Sequence, residues 1–141
     1  MNKPIFKNNR GKGRPPSLQL RILKRIVLSG QMSKTEATEH YTTRYGDVSD
    51  AMDALAQNHF IKFSEKRRKE GSRKHHKLYR ITEKGLRYLL ETKLVPEVFW
   101  KAIMLLCYSS KKPITQNEFE KYYNQFERDY LGHFSIPGYF F

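Results

Sequence analysis

Arg10, Lys12 and Arg14 stand at alternate positions in NNRGKGRPPS, residues 8 to 17. Guanidinium and ammonium groups spaced this way donate charge-assisted hydrogen bonds to anions, above all to phosphate oxygens. Pro15 and Pro16 fix φ and remove two backbone donors, and Gly11 and Gly13 disfavour a helix, so the segment reads as an extended cationic arm. A denser group follows in EKRRKEGSRKHHK, residues 65 to 77, where Lys66, Arg67, Arg68, Lys69, Arg73, Lys74 and Lys77 crowd around Gly71-Ser72. Other reactive types add little. His75 and His76 are adjacent, so on a strand they point to opposite faces, and no cysteine pair or carboxylate stands at metal-ligand spacing around them. Asp47, Asp50 and Asp53 read as a capping carboxylate and two exposed acids favoured by the positive end of a helix, with no ion required. Cys107, the one cysteine, cannot form an internal disulfide and is expected to act as a small core hydrophobe. GKGRPPS lacks the spacing of a phosphate-binding loop, and no nucleophile-and-base constellation is present. The chemistry on offer is anion binding; no enzyme, metal, cofactor or identifiable small-molecule effector is expected.

The charge of the whole chain agrees. Its 141 residues, 38% of them hydrophobic, suffice for one modest core, while a net charge of +13 and a pI near 9.9 exceed what solubility asks for. Residues 1–30 hold eight basic groups and no acid, and residues 62–90 hold eleven against three, so each block carries a net +8. Residues 31–61 between them sum to −3, and residues 91–141 are neutral with six of each sign. Two cationic blocks flanking an acidic segment point to a polyanionic partner. The first residues contain no signal-peptide core, and the longest apolar run, Ala102 to Tyr108, is too short to span a bilayer, so a soluble cytoplasmic, nucleoid-associated protein with no membrane partner is expected.

These groups need elements to hold them. Ser17 is a helix cap followed by Leu18, Ile22, Leu23, Ile26 and Val27 at helical spacing, with Gly30 as the stop and Arg21, Lys24 and Arg25 as a solvated stripe. Ser33-Lys34-Thr35-Glu36 is a capping box opening a short helix to about His40. Thr42 to Gly46 reads as a turn, and a third helix starts at Asp47 with Val48, Ala51, Met52 and Leu55 on its inner face. Phe60 to Phe63 and Lys77 to Ile81 read as two strands of an antiparallel hairpin with a cationic tip, and Thr82 caps a fourth helix from Glu83 to about Thr92.

This order of elements, over Ser17 to about Leu94, resembles the winged helix-turn-helix fold of MarR-like, PadR-like and related archaeal regulators. Ala51 to Ile61 is similar to the end of a recognition helix and the first wing strand, and Leu78-Tyr79-Arg80-Ile81-Thr82-Glu83-Lys84-Gly85 to the second wing strand running into its capped helix. Where such sequences place Gly before the apolar pair, this chain has His59, at a position that needs a left-handed backbone. The resemblance implies a mainly α protein with a small antiparallel hairpin that binds double-stranded DNA as a homodimeric transcriptional regulator. Ser49, Asp50, Asp53 and Gln57 would then enter the major groove, and the hairpin cations would hold flanking phosphates or the minor groove. Lys12-Gly13-Arg14-Pro15 also resembles an AT-hook core, with Lys in place of the first Arg and no base after Pro16; an unspecific phosphate-binding arm is the alternative.

Beyond the winged unit, Pro96 opens a helix, and Thr115-Gln116-Asn117-Glu118 is a second capping box before Phe119, Tyr122, Tyr123, Phe126 and Tyr130. That aromatic stripe reads either as an intramolecular contact or as a dimer seam formed by Phe119, Tyr122, Tyr123 and Phe126, and a partial repeat of residues 33–41 at 115–123 is a weaker rival. The expected organisation is an arm over 1–16, a winged domain over 17–94, a helical pair over 95–132 and an apolar tail over 133–141. Three aspartates and no cation on the third helix make it a poor generic DNA ligand, so RNA or ribonucleoprotein binding and a protein-interaction role in the transcription machinery stand as alternatives.

Overall fold

The computed structural model describes residues 17–41, 44–68, 75–108 and 111–134, with side chains described up to Asp129. The arm with Arg10, Lys12 and Arg14, the turn Gly71-Ser72, the cations Lys69, Arg73 and Lys74, the Tyr130 side chain and the tail beyond Phe134 lie outside the described residues. The elements run α1 (Leu18–Ser29), α2 (Lys34–Tyr41), α3 (Tyr45–Gln57), β1 (Ile61–Arg68), β2 (His75–Ile81), α4 (Glu83–Leu90), α5 (Pro96–Tyr108) and α6 (Gln116–Phe134). Three helices, a two-stranded antiparallel hairpin and a further helix form a winged helix-turn-helix arrangement. Two compact units divide between Gly85 and Leu86, inside α4 and upstream of the 94/95 boundary read from the sequence.

In the first unit, α1 begins where Ser17 Oγ accepts from the Leu20 amide at 3.2 Å. It stops where Gly30, at φ +89°, donates to the Ile26 carbonyl at 2.8 Å. Ile22, Leu23, Ile26 and Val27 are fully buried, and at about 1.5–3 kcal/mol each this burial dominates the helix's stability. The second helix has no such resource: it spans 8 residues and buries only Ala37. It depends instead on its capping box, in which the Ser33 amide donates to Glu36 Oε1 at 2.9 Å and the Glu36 amide to Ser33 Oγ at 3.1 Å. Val48, Ala51, Met52 and Leu55 of α3 are buried, as their spacing requires.

The third helix starts at Tyr45, earlier than the sequence suggested, with Arg44 at the cap and no side-chain capping bond. Asp47 is therefore not the cap: it sits in the first turn, where the helix dipole favours it all the same. At the far end, the Phe60 amide reaches the Leu55 carbonyl at 2.9 Å and the His59 amide the Ala56 carbonyl at 3.0 Å. This is a Schellman closure, with His59 at φ 63° in the left-handed position where glycine is usual. Thr82 caps α4 by accepting from the Gly85 amide at 3.0 Å. Gly85 is buried, and a Cβ there would collide with the Phe60 carbonyl oxygen and come within 2.8 Å of Ile81 Cγ1. Glycine is thus the price of bringing the helix start against the hairpin base.

The hairpin departs from its expected limits. Phe60 lies before it, and β1 continues through Arg68 while β2 begins at His75, so Lys66, Arg67 and Arg68 belong to a paired strand instead of a loop tip. Solvent on the ribbon hydrates these charges, so they do not prevent backbone pairing. Ser64 is an extra residue between the pairs Phe63↔Tyr79 and Glu65↔Leu78, a bulge that twists the outer half. Tyr79 and Met32 also exchange backbone bonds at 2.9 and 3.1 Å, which fastens the hairpin to the segment before α2.

In the second unit, Leu86, Leu89, Leu90 and Leu94 are buried together with Val98, Phe99, Ala102, Ile103 and Leu106 of α5. The fourth helix ends at Leu90, short of Thr92, where the Thr92 hydroxyl turns back to the Leu89 carbonyl at 2.6 Å. The Thr115 capping box forms, with the Glu118 amide donating to Thr115 Oγ1 at 3.1 Å. Phe126 stacks on Phe99 with ring centroids 4.2 Å apart, and Trp100 meets Phe119 at 6.2 Å and Tyr123 at 6.1 Å. Tyr122 is 4% exposed, so the aromatic stripe of α6 is engaged within its own unit. Cys107 is exposed, against expectation: it falls at the edge of α5 next to the outward Trp100, Met104 and Tyr108, away from the buried face. Helices α2 and α6, which open on the two similar boxes, have unlike lengths of 8 and 19 residues.

Candidate nucleic-acid interface

With Val48, Ala51, Met52 and Leu55 turned inward, the opposite side of α3 is Gly46, Asp50, Asp53 and Gln57, at the i, i+4, i+7, i+11 spacing of one helical face. Asp50, Asp53 and Gln57 are exposed and Ser49 is half-buried beside them. Tyr45, 53% exposed, stands at the start of the same helix; the sequence reading placed it in a turn and missed it.

Two of these side chains are already engaged. Lys34, the first residue of α2, donates from Nζ to Asp53 Oδ1 at 2.7 Å and to Ser49 Oγ at 2.9 Å. Burial alone would lower the pKa of this ammonium, but the hydrogen bond and charge of Asp53 prevail and hold it above the ordinary lysine value. Its partners lie 15 and 19 residues away in the chain, so no local pattern could have announced the contact.

The hairpin presents Lys66, Arg67, Arg68 and Lys77 as exposed side chains. Cross-strand neighbours share a sign: Lys62 lies opposite Arg80 and Lys66 opposite Lys77, while Arg67 faces His76. Like charges directly opposite are destabilising in a sheet. At the bulge, Arg80 Nε donates to Ser64 Oγ at 2.8 Å, Ser64 donates to Gln31 Oε1 at 3.1 Å, and Gln31 Nε2 donates to Glu65 Oε1 at 3.3 Å. Glu65 in turn accepts from Arg67 at 3.2 Å. This polar chain orients the outer ribbon from its base. A cleft of about 380 Å³ between α2 and the ribbon has Glu36 and Glu39 among its lining residues along with Arg67, Arg68 and His76, a mixture of signs.

On α1, Arg21 lies over the Tyr41 ring at 5.6 Å, and burial lowers the Lys24 ammonium below the ordinary lysine value. Arg21 therefore packs on Tyr41 of α2 and Lys24 is partly covered, so the stripe is not wholly solvated. Among the described residues no group of three His, Cys, Asp or Glu side chains could hold a metal ion, and no helix is long and apolar enough to cross a membrane.

No protein-family model matches the chain, and no curated protein matches it in sequence. Solved structures of similar outline exist. A Halomicrobium mukohataei protein with a GntR-superfamily winged-helix-turn-helix domain aligns at 14% identity and a TM-score of 0.47, covering 88% of each chain. A mutant of Lactococcus lactis ZitR aligns at 18% identity and 0.45, over 88% of this chain and 78% of the other. The transcriptional regulator BldR of Sulfolobus solfataricus aligns at 22% and 0.42, over 79% of this chain and 73% of its own.

Proposed function

We propose that the chain is a DNA-binding transcriptional regulator of winged-helix type that grips duplex DNA with α3 in the major groove and the hairpin on flanking phosphates. One observation carries this reading: the ribbon places like-charged residues directly opposite one another, at Lys62↔Arg80 and Lys66↔Lys77, at a cost to its own stability. A row of phosphates removes that cost, and counterion release adds affinity. Between the two strands the sequence supplies Lys69, Arg73 and Lys74, and before α1 it supplies Arg10, Lys12 and Arg14, as further phosphate or minor-groove contacts. Homodimeric assembly fits the same function, because two copies read two half-sites. The apolar side chains of α5 left exposed, Trp100, Met104 and Tyr108, are available for that contact.

The test is the salt dependence of duplex binding. Replacing Lys66, Arg67 and Lys77 together with Ala should weaken binding to every duplex alike and flatten the slope of log K against log salt by about 0.9 for each lost phosphate contact. An unchanged slope removes the hairpin from the interface. Tighter binding to structured RNA than to duplex DNA in the same assay overturns the DNA assignment.

A further inference from the structure

The helix that would enter the groove carries Asp47, Asp50 and Asp53 and no Lys or Arg of its own. Phosphates on either side of the groove repel such a face. The compensating cation comes from another element, since Lys34 of α2 holds both Asp53 and Ser49. The Lys34 side chain is 21% exposed and that of Asp53 57%, so the lysine is the more sheltered partner of the pair. Resting on the DNA-binding reading, we infer that Lys34 is a positioning residue for recognition: it cancels the Asp53 charge, holds Ser49 and Asp53 against α2, and leaves Asp50 and Gln57 to reach base edges.

Folding does not account for the pair. With Asp53 57% exposed, the pair is close to a surface ion pair and contributes about 0–1 kcal/mol to stability. Its effect is larger where a polyanion approaches, because an uncompensated carboxylate beside phosphates repels the partner while a compensated one does not. The geometry is also well supported. The capping box fixes the backbone on which Lys34 stands, and Thr38 Oγ1 donates to the Lys34 carbonyl at 2.8 Å. Ser49 and Asp53 are one helical turn apart, so a single ammonium reaches both.

The experiment compares duplex affinities of the full chain at one salt concentration, on a random-sequence duplex and on one selected from a random library. Lys34→Met should weaken both by about tenfold, equivalent to about 1.4 kcal/mol, and Lys34→Arg should stay within about threefold of the native chain. Adding Asp53→Asn to Lys34→Met should restore affinity to within about threefold of native, because the stranded charge is gone. A double variant no tighter than Lys34→Met overturns the inference, since Lys34 would then act as a direct phosphate donor or a plain structural strut. If circular dichroism shows Lys34→Met unfolded, the same comparison is made with Lys34→Gln and with its Asp53→Asn double variant: rescue of affinity by the second substitution supports the inference, and a double variant no tighter than Lys34→Gln overturns it. A native chain that binds neither duplex overturns the DNA reading itself, a result distinct from failure of the rescue.

Discussion

Asp50 and Asp53 are both exposed and lie on one face of α3, yet their surroundings separate them. Asp53 is bound by Lys34 at 2.7 Å, whereas Asp50 projects outward. A carboxylate free to accept from cytosine N4 can discriminate a base pair, and one held by an ammonium cannot do so without losing that partner. Asp50→Asn should therefore lower discrimination at one base position by about 1–3 kcal/mol, measured by competition with singly substituted duplexes. Asp53→Asn should leave discrimination intact in the same assay. The capping residues were legible in the sequence because each partner lies within three positions, as with Ser33 and Glu36 or Thr115 and Glu118. His59 was legible too, because the backbone closing a helix before a strand demands a left-handed residue there. Lys34 was not, since its partners belong to a different helix.

Among the elements, α6 makes a pH-dependent attachment. Arg87 of α4 donates to Glu118 at 3.0 Å, and with the Thr115 amide it holds the Glu118 carboxyl below the ordinary glutamate value. The stabilising contribution of a group depressed in this way is complete above its unfolded pKa and is lost as pH falls through the folded one. Thermal midpoints of the native chain measured from about pH 7 to about pH 3 should therefore fall on the acid side, and Glu118→Gln should flatten that limb while lowering the midpoint slightly at neutral pH. Equal acid limbs in the two proteins would show that the Arg87 contact has no such role. The hairpin illustrates what sequence patterning leaves undetermined: a charge-dense stretch between two short apolar runs reads as a loop, yet pairing continues through Arg68 and resumes at His75. Backbone pairing responds to the partner strand across the ladder, and that partner is defined only in the folded unit.

For the whole molecule, the proposed function calls for two copies, so sedimentation should give twice the 16.8 kDa chain mass. Met104, 43% exposed on α5, and Tyr122, 4% exposed on α6, distinguish the possible seams. Met104→Glu should yield a folded monomer, while Tyr122→Glu should unfold the second unit, because a buried unpaired charge is far costlier than an exposed one. A native chain monomeric at high concentration would rule out the dimer. The distribution of charge, the identity and order of the helices, the caps at Ser17, Ser33, Thr82 and Thr115 and the inner faces of α1 and α3 were determined by the sequence alone, because each depends on residues within a turn or two of one another. Tertiary structure decided that Lys34 reaches α3, that Gly85 sits against the Phe60 carbonyl, that Cys107 stays outside, and that the α6 aromatics are engaged by α5. Each of these rests on which faces meet across long stretches of chain, and local spacing carries no information about distances of that kind.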